Sequence, residues 1–123
     1  MVDLGTLAEE IEDGGSRFAD ALAASPQPSA RAGRLEWSIH QLGAHAATGV
    51  EAYALMGRGE PSFLHTIADR GELCAAAMAG EARTPVEELV ARIRSGSADI
   101  AASVRRAAPG ERRPFYEHEV LAA

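Results

Sequence analysis

Apolar positions along this chain recur with the period of a helix, and no segment alternates with period two. Leu4, Leu7, Ile11, Phe18 and Leu22 step by three, four, seven and four residues, so they share one face. They predict a first helix over residues 3–24. The gap in this stripe falls at Gly14-Gly15, a pair that weakens the helix or lets a neighbour approach closely. A link rich in Pro, Ser and Gly follows, from Ser25 through Gly33.

The second helix carries the clearest start signal. Ser38-Ile39-His40-Gln41 matches a capping box, and Trp37 stands where a hydrophobic staple would be. Ile39, Leu42, Ala46, Gly49, Tyr53 and Met56 run down one face, and Gly57-Arg58-Gly59-Glu60-Pro61 ends the element. Phe63, Leu64 and Ile67 read as a loop, and an irregular helix is expected from about 68 to 80. Thr84-Pro85-Val86-Glu87 reads as a second capping box with Pro at the first helical position. Val86, Leu89, Ile93, Ser97, Ile100 and Val104 form the inner face of that last long helix. Arg105-Arg106 complement its dipole and Pro109-Gly110 stops it. The expected organisation is a helical bundle over residues 1–108 and a tail over 109–123.

Composition narrows the function classes. The chain has 123 residues, 46% apolar and 24% charged, which suits one globular domain. A net charge of −6 argues against a nucleic-acid-binding surface. No apolar run is long enough for a membrane span, and Met1-Val2-Asp3-Leu4 does not open a signal peptide, so a cytoplasmic location is expected. One cysteine, Cys74, excludes an internal disulfide; beside an alanine run it reads as a small buried hydrophobe. All twelve basic residues are Arg, and Ala occurs 26 times, a bias that matches a GC-rich genome.

The candidate chemistry centres on histidine. With Leu42 at zero and about 100° per residue, His45 lies at about 300°, bordering the core face, whereas His40 at about 160° points to solvent. His45 is either a core imidazole bonded to a carbonyl or carboxylate, or a metal ligand or general base. Glu51, at about 180°, reads as a solvated carboxylate. His65 falls in the predicted loop and reads as a surface residue; Glu117-His118-Glu119 reads as a solvated tail. Arg92, Arg94, Arg105 and Arg106 read as a solvated helix surface. No phosphate-binding glycine motif and no Cys-x-x-Cys occurs.

Trp37-Ser38-Ile39-His40-Gln41-Leu42-Gly43-Ala44-His45, with the continuation to Tyr53, resembles the N-terminal, metal-binding domain of mycothiol-dependent maleylpyruvate isomerases, in the DinB-like superfamily. The Gly57–Pro61 turn and the Thr84–Leu89 start also fit that family, so the likeness covers roughly residues 4–108. The resemblance implies an all-α, antiparallel bundle of up-down topology. It implies a divalent metal, usually zinc, with its first ligand at His45, and mycothiol as cosubstrate of an isomerase or transferase. Any pocket is expected along the inner face of the second helix near His45, with Trp37, Leu42, Gly49 and Tyr53 as neighbours. An actinobacterial thiol agrees with the GC-rich bias.

The family's other two ligands come from a fourth helix, as a Glu and a His four residues apart. That pattern is absent here, and the fourth helix is expected to be missing or replaced by the short tail. Two expectations follow. One is a metal-dependent, thiol-using isomerase or transferase with an incomplete site. The other is a truncated, non-catalytic bundle that forms a homodimer, or takes a partner, to bury an open apolar groove.

Overall fold

The computed structural model describes residues 3–62 and 70–107, and the backbone alone of 112–115 and 118–121. The expectations for Phe63, Leu64, His65 and Ile67, and for the Pro109-Gly110 stop, lie outside the described residues. The described residues form four helices: α1 (Leu4–Ala23), α2 (Ile39–Gly57), α3 (Arg70–Gly80) and α4 (Val86–Arg106). In the tail, β1 (Arg112–Phe115) and β2 (His118–Leu121) pair antiparallel, with Arg112 opposite Leu121 and Phe115 opposite His118. β1 lies against α2. The bundle is therefore helical as expected, and a hairpin stands in the expected tail.

Local chemistry accounts for the helix ends. Asp3 caps α1, its carboxylate accepting from the Gly5 N–H at 3.0 Å and the Thr6 hydroxyl at 2.9 Å. At α2 the capping box forms as read. Ser38 Oγ accepts from the Gln41 N–H at 3.1 Å, and Gln41 Oε1 accepts from the Ser38 N–H at 2.8 Å. The link satisfies the two remaining orphan donors, since Ile39 N–H reaches the Ala30 carbonyl and His40 N–H reaches that of Pro28, both at 2.8 Å. The C-terminus of α2 closes in a Schellman motif. Gly59 (φ 72°) supplies the left-handed residue, with Glu60 N–H on Leu55 O at 2.9 Å and Gly59 N–H on Met56 O at 3.0 Å.

The second capping box does not form. Pro85 is the N-cap of α4 and gives no side-chain cap bond. The helix begins one residue later than the pattern reads, and the Thr84 hydroxyl donates to Glu81 Oε2.

α4 is the central helix, packed against both α1 and α2, while α3 packs on α2. Ion pairs fix the directions. Asp20 meets Arg94 and Glu12 meets Arg105, so α1 runs opposite to α4. Glu51 meets Arg92 and Asp99 meets Arg58, so α2 runs with α4. Leu73 packs near Met56, whereas Met78 lies towards His45, so α3 runs opposite to α2. Arg92, Arg94 and Arg105 thus bridge helices, where a solvated surface was expected.

Leu89 and Ile93 of α4 form the fully buried centre, with Ala19, Leu22, Ala44 and Ala47 around them. Small residues let the helices meet closely. A Cβ built on Gly15 would collide with the Ser97 side chain, one on Gly43 would lie 2.8 Å from Leu22 Cδ2, and one on Gly96 would lie 2.7 Å from Val50 Cγ2. Of the two roles open to Gly14-Gly15, Gly15 fills the close-approach one. Among the described residues no helix is long and apolar enough to cross a membrane.

Candidate functional site: the cleft between α2 and α3

A cavity of about 670 Å³ lies between the first turns of α2 and one face of α3. The capping box aims the α2 wall, because it fixes where the helix begins and so where Trp37, His40, Gln41 and His45 stand. Its α3 wall follows helical spacing: Arg70 and Gly71, then Cys74 and Ala75, then Met78 and Ala79. Small side chains dominate this stripe, which leaves the cleft open.

His45 is half-buried, and its ring tilts against Trp37 at 5.1 Å between centroids and 54° between planes. One turn on, the Thr48 hydroxyl donates to the carbonyls of Ala44 (2.9 Å) and His45 (3.2 Å), holding this stretch of α2. His40 also faces the cleft and is half-buried. Its Nε2 lies 2.7 Å from the Thr84 carbonyl, which makes Nε2 the protonated nitrogen. The expected solvent-facing His40 is thereby corrected. The helical wheel places it away from the core of α2, but the segment between α3 and α4 returns over that side.

Of the other neighbours expected around His45, Trp37 lines the cleft. Leu42, Gly49 and Tyr53 do not: Leu42 is half-buried on α2, Gly49 has open space about its Cα, and Tyr53 packs with the Ala52–Met56 cluster. Cys74 is half-buried with a free thiol in the cleft wall, where a buried core position was expected. The physical reason is that α3 has a neighbour on one side and contributes no buried residue. The described part of Glu117-His118-Glu119 is the backbone of His118 and Glu119 in β2.

A second polar cluster closes the far side of α2. Arg92 donates to Glu51 through Nε at 3.0 Å and Nη2 at 2.6 Å, and reaches Glu81 at 2.8 Å. These bonds, those to Glu51 first, hold the Arg92 guanidinium still more firmly in its charged form. Arg92 and then Thr84 hold the Glu81 carboxyl below its usual range. Glu51, read as solvated, is instead a bidentate partner across the α2–α4 seam. The sequence reading does not single out Arg70 and Ala79; their signal is the paired 70/71, 74/75, 78/79 spacing of α3.

Among the described residues no group of three His, Cys, Asp or Glu side chains could hold a metal ion. Comparisons with family models, with curated proteins and with solved structures return no match.

Proposed function

We propose that the chain is a small-molecule-binding helical bundle on a DinB-like up-down frame, and that its working site is the α2–α3 cleft. One observation carries the reading: His45, onto which the resemblance maps the first metal ligand, is half-buried against Trp37 and lines this cavity. The alternating directions of the four helices support the frame. A volume of about 670 Å³ suits a small organic molecule.

The resemblance also implies zinc and mycothiol. Zinc takes three or four protein donors, or three with water. The described residues do not fit that demand, since His45 offers one donor and His40 is held by the Thr84 carbonyl. No catalytic step is therefore derived through a metal or a thiol cosubstrate. The test is metal content, by plasma mass spectrometry, of untagged protein purified without chelator, beside His45→Ala. Substoichiometric metal in both is the expected result. Near-stoichiometric zinc that His45→Ala abolishes would replace this reading with the metal-dependent isomerase or transferase.

A second reading, a homodimer that covers α3, is favoured by one fact: no residue of α3 is buried. Light scattering decides it, since a dimer doubles the 12.9 kDa mass and a monomer across micromolar concentrations ends the idea.

A further inference from the structure

We infer that the ligand of the α2–α3 cleft is an elongated amphipathic monoanion: an apolar chain lying along α3 with an acidic head at Arg70. The inference rests on the cleft being the working site and adds the class of molecule it takes. Three observations carry it. First, the α3 wall is a continuous stripe from Arg70 to Ala79, along a helix of 11 residues, or about 16 Å at 1.5 Å per residue. A cavity that follows a helix face suits a chain better than a compact ring. Second, beyond Arg70 the stripe is mostly apolar, with the Cys74 thiol as its one weakly polar group among the described residues. Ala75, Met78 and Ala79 offer apolar surface without hydrogen-bonding side chains, and the flexible thioether of Met78 adapts to a chain of varying shape.

Third, the charge is placed at one end. Among the described residues of the wall Arg70 alone carries a formal charge and none is a carboxylate, although the protein as a whole is at −6. Among the described residues Arg70 makes no ion pair, in contrast to Arg58, Arg92, Arg94 and Arg105, each of which has a carboxylate partner. An exposed guanidinium at the mouth of an apolar groove selects a carboxylate or phosphate head by charge-assisted, bidentate hydrogen bonding.

Trp37 is the one tryptophan and lines the cleft, so its emission reports occupancy. The full chain is titrated with decanoate, decanol, decylammonium and butyrate, below micellar concentrations. Decanoate should give a saturable change, decanol a weaker one, and decylammonium and butyrate none. Arg70→Gln should weaken decanoate by about tenfold, the loss of one charge-assisted hydrogen bond, and leave decanol unchanged. Ala79→Phe, at an exposed position that tolerates bulk, should block both.

Decanol equal to decanoate, or decanoate indifferent to Arg70→Gln, would overturn the acidic head while keeping the cleft. Decanoate binding indifferent to Ala79→Phe would overturn the chain's placement along α3. Silence from all four probes overturns the inference. If zinc then binds through His45, the cleft stands as a site for another chemistry; if it does not, the reading of the cleft as the working site falls as well.

Discussion

The seam between α1, α4 and α2 and the contact of α3 with α2 are built on opposite principles. In the seam, glycine, alanine and serine bring backbones together, and Leu89 and Ile93 disappear from solvent. On α3 the same small residues meet no second helix, so alanines that would close a core instead leave a cleft. Small side chains therefore do not specify tight packing; they permit it where larger residues on a neighbour fill the space. The seam has Leu22, Leu89 and Ile93 to do so, and α3 meets Ala52 and Met56 on one side alone.

Four substitutions break or sharpen this contrast. Leu89→Ala empties the seam's centre and should cost about 2–5 kcal/mol in chemical denaturation. Leu73→Ala on half-buried α3 should cost clearly less, and equal losses would erase the distinction. Next come the adjacent glycines. Gly15→Ala drives a methyl into Ser97 and should destabilise by about 1–3 kcal/mol. Gly14→Ala meets nothing within 4 Å and should stabilise by about 0.5–1 kcal/mol through helix propensity. Opposite signs at neighbouring positions are the sharpest available measure of where the seam begins.

Ser38→Ala removes the α2 cap and should cost about 1 kcal/mol in thermal melts. Its loss should also shift Trp37 emission, because the cap sets the start of the cleft wall. The smallest effect concerns Glu81. Its folded carboxyl lies below its unfolded value, so its contribution is present above the unfolded value and lost as pH falls through the folded one. At this partly exposed pair the loss should stay under about 1 kcal/mol, and Glu81→Gln should flatten that part of the pH–stability curve.

What the sequence discloses follows the range of the interaction. The α1 stripe and the Ser38–Gln41 cap are settled by residues within one turn of each other, and both appear as read. The Thr84 box fails because α4 starts one residue later, with Pro85 as its N-cap, and spacing does not fix that boundary. His40 and Glu51 were misplaced for a different reason. Angles around α2 say nothing of the segment that returns over His40 or of Arg92 arriving from α4. The hairpin was illegible because its strands are four residues long and Arg-Arg-Pro-Phe shows no alternation. The cleft needed both walls at once, and α3 gave no pattern that named its partner.

The alanine-rich seam also has a thermal consequence. Alanine and glycine surrender no rotamer freedom on folding, so the core forms with little side-chain entropy to lose. It also withdraws little hydrocarbon from water per residue, and the heat-capacity increment of unfolding scales with that area. The stability of this protein should therefore vary with temperature along a shallow, broad curve: modest at its maximum, and slow to decline on either side of it.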